Sequence, residues 1–403
     1  MKTNRIILSL IWISLANLPI FSQSSFRWPD RGIKVFSVDS MYSLNLRFRM
    51  QNRALYTSVS EDDFTAKDIE ARVRRLRLTL DGHVYTRKLT YKIQLSFSRG
   101  DMDWNGTDNS SINNSPNVVR DAVLNYQFTK NLQVSFGQTK LPGNRQRVVS
   151  SGAQQFMDRT VVNATFNIDR DFGAFFNYRN RIIGLDYVLK GAITSGEGRN
   201  SNLSRGGGLA YTGRIELLPL GHFTNGGDYF EGDLEREPTP KLSICATVSH
   251  NEGAQRLAGQ LGNDLYQSRN MEYYEADVLF KYRGLALSAE YMKRMTNDPF
   301  TVNATGAKRV IYEGEGAMSQ LSYIFKNNVE IAGRYAFVTP SDRVQFVHPA
   351  TSNYTLGVTK YLAHHRLKIQ SNLIYQTTIQ KVDAAPQNKS NNWQLAFQVE
   401  LGI

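Results

Sequence analysis

Between Ile69 and Phe97 apolar and polar residues alternate. Arg77 and Thr79 separate Leu76, Leu78 and Leu80, while Thr90, Lys92, Gln94 and Ser96 separate Leu89, Tyr91, Ile93, Leu95 and Phe97. Successive side chains leave a strand on opposite faces, so a period of two predicts strands. Asp81-Gly82 lies between the two halves and predicts a hairpin turn there. One face of this hairpin is continuously apolar and the other repeats Arg and Lys. The same alternation returns in Tyr42, Leu44, Leu46, Phe48 and Met50, in Tyr274, Ala276, Val278, Phe280 and Tyr282, and in Trp393, Leu395, Phe397, Val399 and Leu401. Together with weaker runs elsewhere, the total is about sixteen segments, an even number of the kind a closed barrel needs. The expected fold class is all-β: a transmembrane antiparallel up-and-down β-barrel of about 16 strands.

The connections support that expectation. Short ones, such as Thr129-Lys130-Asn131, Arg283-Gly284, Lys326-Asn327-Asn328 and Ala363-His364-His365, alternate with long polar ones at 99–117, 140–171, 194–206, 251–271, 297–314, 339–351 and 378–390. Tight turns at one end and wide loops at the other are what a barrel with a periplasmic and an external rim produces. One connection breaks the alternation. Residues 219–240 fall at the short-turn end yet are long and rich in Gly, Asp, Glu and Pro. A soluble β-sandwich alternates too, but charged residues on the polar face, aromatics near strand ends (Tyr42, Tyr91, Tyr126, Tyr178, Tyr282, Trp393) and a leader at the N-terminus count against it.

In a barrel the apolar face meets lipid, so the basic face lines a watery lumen. The cations expected along that path are Arg47, Arg49, Arg75, Arg77, Lys92 and Arg214 from the wall, with Lys140, Arg145, Arg147 and Arg159 from the third long loop. That loop, KLPGNRQRVVSSGAQQFMDRTVVNATFNIDRD, is expected to fold toward the lumen. Rings of Arg and Lys favour anions, and the Arg fork suits oxyanions such as phosphate. Asp186, Glu216, Glu275, Asp277, Glu290, Glu330 and Glu400 are expected on the same inner face, which leaves open a general diffusion channel without strong selectivity.

MKTNR followed by the apolar run from Ile6 to Phe21 and then Ser22-Gln23-Ser24-Ser25 has the order of a secretory leader. The expected division is residues 1–23 as signal peptide and 24–403 as the barrel. Lys and Arg total 48 against 36 Asp and Glu, a formal net charge of +12. In an exported chain this excess points to lipid head groups or anionic solutes rather than nucleic acid. The single cysteine, Cys245, excludes an internal disulfide. No G-x-S-x-G and no His spacing suited to zinc occurs, so neither catalytic residues, nor a metal, nor a cofactor are expected. A plugged barrel acting as scaffold or adhesin is the remaining alternative. Its motif, Arg99-Gly100-Asp101, is short enough to arise by chance.

The basic hairpin ARVRRLRLTLDGHVYTRKLTYKIQLSF, the stretch DAVLNYQFTKNLQVSFGQTKLPGNRQRVVSSGAQQFMDR, RDFGAFF and GRIELLPLG resemble the phosphate-selective porin O/P family of outer-membrane porins. The leader ending in Ser-Gln resembles those of Bacteroidota. The resemblance implies a trimeric 16-stranded barrel in the outer membrane of a Gram-negative bacterium, with an arginine-lined path for phosphate or related anions. Arg75, Arg77 and Lys92 match the family's basic hairpin, and Lys140, Arg145 and Arg159 its loop motif. Two departures stand out: the chain ends in Ile403 rather than an aromatic residue, and Glu275, Asp277 and Glu330 dilute the basic wall.

Overall fold

A computed structural model of the chain describes residues 32–98, 118–201, 208–382 and 387–403. The leader and Arg99-Gly100-Asp101 lie outside these residues. The strands are β1 (Ile33–Phe36), β2 (Ser43–Ser58), β3 (Ala66–Val84), β4 (Thr86–Ser96), β5 (Val119–Gln127), β6 (Leu132–Lys140), β7 (Arg170–Ile182), β8 (Leu185–Thr194), β9 (Ala210–Leu218) and β10 (Lys241–Arg256). They continue with β11 (Asp264–Tyr282), β12 (Leu285–Thr296), a small hairpin β13 (Phe300–Val302) and β14 (Lys308–Val310), then β15 (Gly314–Ile324), β16 (Val329–Pro340), β17 (Ala350–Ala363), β18 (Leu367–Gln380) and β19 (Asn388–Gly402). Sixteen of them, β2–β12 and β15–β19, pair antiparallel in chain order, and β19 closes on β2 from Gln394↔Thr57 to Gly402↔Arg49. Closure leaves no open edge around the ring. β1 pairs with the first residues of β2, Ile33↔Leu46 to Phe36↔Ser43, and so prolongs the line of β19 past Ile403.

The side chains divide as the alternation requires. Leu44, Leu124, Phe136, Phe176, Leu189, Leu287, Leu321, Ile331, Leu356 and Leu395 are exposed on the outer wall, while Arg75, Arg77, Arg214, Lys281, Lys368, Asp186, Glu216, Glu275, Asp277, Glu290, Glu330 and Glu400 are buried inside the ring. Tyr42, Tyr85, Tyr126, Phe128, Tyr323 and Phe325 crowd the outer face at the short-turn rim. Tyr211, Tyr274, Tyr291 and Tyr354 stand on the outer face toward the long-loop end. Two aromatic belts around an apolar band are what a lipid-facing wall requires.

Two local expectations are corrected. Asp81-Gly82 is not a turn: Asp81 pairs with Asn45 and Lys92, Gly82 pairs with Tyr91, and the chain reverses at Tyr85, whose φ is 59°. Asp81 is kept in the strand by the Arg47 guanidinium. Gly82 is needed because a Cβ there would collide with the Ser43 carbonyl, to which the Tyr91 hydroxyl donates at 3.1 Å. The 251–271 connection is also much shorter than its polarity suggests. β10 and β11 run on to Arg256 and Asp264, where inward Asn251 donates to Gly196 O and outward Glu272 accepts from the Tyr274 hydroxyl, so polar residues are accommodated on both faces near the rim.

The 219–240 connection turns back into the barrel instead of hanging below it. This arm passes through a 3-10 turn, Thr224–Tyr229, and is fastened to the inner wall. Lys281 Nζ donates to the carbonyls of Gly227 (2.7 Å), Phe230 (2.8 Å) and Gly232 (2.5 Å). Asp233 accepts the Gly284 N–H at 2.6 Å, Arg236 donates to Ile324 O at 2.6 Å, and Phe230 stacks on His365 at 5.8 Å.

Candidate permeation site

The segment 141–169 crosses the lumen. It contains two short helices, α1 (Arg145–Val148) and α2 (Val161–Phe166), the latter capped by the Thr160 hydroxyl, which accepts the Asn163 N–H at 3.1 Å. Gln51 on β2 donates to Ser151 O, Arg145 pairs with Asp277 on β11, Arg294 on β12 donates to Thr165 O, and Lys368 on β18 donates to Gln154 O at 2.6 Å. A segment bonded to inward side chains on opposite sides of a closed ring must lie inside it. Apolar residues anchor it as well: Leu141, Val162, Phe166 and Ile168 are wholly buried. Burial of a side chain of this size stabilises by about 1.5–3 kcal/mol. Phe156 packs where β17 carries Gly357, since a Cβ there would stand 2.8 Å from its ring, and Arg334 lies 4.2 Å over the same ring.

The ten cations expected along the path fall into four places. Arg47, Arg49 and Arg77 line a cavity of about 800 Å³ at the short-turn end, bounded above by Ser150 and Gly152 and below by the arm. Arg49 donates to the hydroxyls of Ser150 (3.1 Å) and Ser151 (2.8 Å), and Arg77 to Ser151 at 3.0 Å. Arg75 sits apart, donating to Gln51 at 2.8 Å and facing Asp158 at 3.6 Å. Lys92, Lys140, Arg147 and Arg159 gather with Arg170 where the inserted segment meets β4–β7. Lys140 Nζ donates to Val148 O (2.8 Å) and Val149 O (3.3 Å), and Arg159 to the same Val149 O (2.9 Å) and to Gln146 O (2.7 Å). Lys140 lies within electrostatic reach of Arg170, Arg159, Lys92 and Arg147. The carboxylates paired with this group are Asp121, with Lys92 (2.8 Å) and Arg170 (2.7 Å), and Asp169, with Arg147 and Arg170. Arg145 and Arg214 lie across the lumen, sharing Asp277 at 2.8 and 2.7 Å, with Glu216 as a further partner of Arg214.

Arg53, Arg74, Arg120 and Asp121 were not singled out by alternation. In β3 a bulge opposite Gln51 and Asn52 inserts Arg74, so that Arg74 and Arg75 both aim inward. A second irregularity between β4 and β5 accommodates Arg120 beside Asp121. Bulges re-aim side chains in this way, and adjacent charged residues inside an alternating run are their sequence trace. Asp158 is the common counter-ion of Arg53, Arg74 (3.2 Å) and Arg75. Burial works against its charge, but Arg74, Arg75 and Arg53 hold its carboxyl well below the usual carboxylate range. Asp169, which unlike the partly exposed Asp158 is wholly buried, is also held down, by Arg147 and Arg170 above all.

Solved barrels of the same kind superpose on this one along nearly their whole length. The outer membrane channel DcaP of Acinetobacter baumannii gives a TM-score of 0.54 at 14% identity, with 92% of this chain and 100% of that one covered. Pseudomonas putida OprB gives 0.54 at 11% identity, covering 91% and 95%. The trimer form of OmpT from Vibrio cholerae gives 0.50 at 11% identity, covering 89% and 99%. At these identities the likeness is one of fold. No curated protein sequence matches the chain. Residues 44–221, which hold β2–β9, match the family model of phosphate-selective porins O and P, and with this closed wall the chain is a porin channel of the Gram-negative outer membrane bearing that family's signature.

Proposed function

We propose that the channel conducts small anions in preference to cations, with phosphate or related oxyanions among its solutes. The observation that carries this reading is the gathering of Lys92, Lys140, Arg147, Arg159 and Arg170 around Asp121 and Asp169, which leaves local positive charge where the inserted segment narrows the lumen. In a narrow channel walled by low dielectric, such a surplus raises the local anion concentration. Cleavage between Ser22 and Ser24 would release residues 24–403 for assembly, and a homotrimer, the form named for OmpT of V. cholerae, is the proposed state in the membrane. The chain's partners are then anionic solutes and outer-membrane lipids.

Glu216, Glu275, Asp277, Glu290 and Glu330 on the opposite wall favour a second reading, a general diffusion channel with a field across its lumen. Reversal potential under a KCl gradient in planar bilayers separates the two. An anion channel reverses toward the chloride potential, and added phosphate lowers its chloride current. Neutralising the shared pair, Lys140→Gln with Arg159→Gln, should reduce the chloride-to-potassium permeability ratio on the order of tenfold. Reversal at the potassium side in the wild type defeats the anion reading and leaves the porin intact.

A further inference from the structure

The tip of the arm touches the inserted segment through one carboxylate. Glu231 is 8% exposed. Its Oε2 accepts the backbone N–H of Gln155 at 2.9 Å and the Nε2 of Gln320 at 3.4 Å, and its own N–H donates to Ala153 O at 2.8 Å. Arg159, Arg334 and Lys368 each lie within electrostatic reach of it. The space left beside it is about 10 Å³, lined among others by Arg145, Gln155 and Glu290. That volume holds about one water and no tetrahedral oxyanion.

A backbone N–H and a carboxamide that donate to one carboxylate, with the charges of Arg159, Arg334 and Lys368 near it, form a site that also suits a free oxyanion. We propose that Glu231 is a tethered competitor: the arm places its carboxylate in the oxyanion position of the constriction, and an entering oxyanion such as phosphate displaces it. This rests on the anion-preferring reading above. The displacement requires rotation of one side chain rather than unfolding of the arm, because Lys281, Asp233 and Arg236 hold the residues around Glu231 to β11, the β11–β12 turn and β15 independently of its carboxylate. Glu231 thereby sets a threshold: oxyanions that engage several donors at once outcompete it, and chloride, which cannot, passes it less readily.

Bilayer recordings of Glu231→Gln test this. The glutamine keeps the size and amide contacts but removes the charge. The inorganic phosphate concentration that halves the chloride current should fall about tenfold, the effect of one unit charge a few ångströms away in a partly desolvated site. Glu235→Gln removes the same charge from an exposed arm residue that accepts from Asn225 at 2.9 Å, and should leave the phosphate response unchanged. Glu231→Asp, which retains the charge, should behave as wild type. Heat-modifiable mobility on gels verifies that each variant is an assembled barrel. An unchanged phosphate response in Glu231→Gln, or an equal change in Glu235→Gln, overturns the competitor role even when the wild type is anion-selective. A wild type that reverses toward potassium overturns the anion reading itself.

Discussion

Asp158 balances three guanidiniums with one carboxylate, and the consequence is a pH dependence whose sign is fixed. Its pKa is depressed in the folded protein by Arg74, Arg75 and Arg53. The charge is therefore complete above the unfolded value near 4 and is lost only as pH falls through the lower folded value. Asp158→Asn should leave those arginines less neutralised and raise the chloride-to-potassium ratio at pH 7 by about two- to fivefold. The difference between wild type and variant should persist down to about pH 4 and vanish only in more acidic solution, where both carry a neutral side chain. A difference that vanishes already near pH 6 would mean that Asp158 is not held by the arginines. Single residues of this kind were only partly legible beforehand. Arg47, Arg49, Arg75 and Arg77 follow from phase alone, because alternation assigns a face to every strand residue. Which acid answers which base does not follow, because Asp158 reaches Arg53 and Arg74 from a segment 105 and 84 residues away in sequence, respectively.

At the scale of elements, strands were readable where both faces obey the alternation, and misread where a strand carries turn residues for another reason. Asp81-Gly82 has the composition of a hairpin turn, yet the Arg47 pair and the ladder partners Asn45, Lys92 and Tyr91 hold it extended. The bulge in β3 is the opposite case, an irregularity with a visible trace. Ile69, Ala71 and Val73 point outward before it and Leu76, Leu78 and Leu80 after it, so the phase changes by one residue at Arg74-Arg75. Deleting Arg74 restores strict alternation and keeps every one of those apolar residues on the outer wall. The deletion variant should therefore assemble into a heat-modifiable barrel and lose only the 3.2 Å pair to Asp158, an interaction worth about 1 kcal/mol or less at a partly exposed carboxylate. Insertion of a second residue beside Arg74 has the same parity and should also assemble, but it slides Ile69–Val73 two places along β2 and so parts Glu70 from Arg53. The 219–240 arm had no comparable signal. Its length and its Gly and Asp content predict an irregular connection, but its inward course depends on Lys281, Gly284 and Ile324, residues whose proximity only ring closure creates.

For the whole molecule, the barrel's geometry separates charge into sectors that no single stretch of sequence displays. β2–β7 bring Arg47, Arg49, Arg77, Lys92, Lys140 and Arg170 to one side, and β9–β16 bring Glu216, Glu275, Asp277, Glu290 and Glu330 to the other, where Arg214, Lys281, Arg294 and Arg334 partly offset them. The net charge of +12 therefore understates the basic side and conceals the acidic one. Selectivity in such a lumen has a local part and a long-range part, and salt distinguishes them. Mobile ions screen over about 10 Å at 0.1 M and about 3 Å at 1 M. Charges that act across the water-filled stretch, such as Arg47, Arg49 and Arg77 around the 800 Å³ cavity, are weakened by that change. The pair sharing Val149 O is packed into the constriction, where little salt enters, and keeps its influence. The chloride-to-potassium permeability ratio should accordingly fall between 0.1 M and 1 M KCl but remain above one. In Lys140→Gln with Arg159→Gln it should approach one at 1 M while some preference survives at 0.1 M. A wild-type ratio that reaches one at high salt would place the whole preference in the screened vestibule, and would remove the inserted segment from the selective part of the channel.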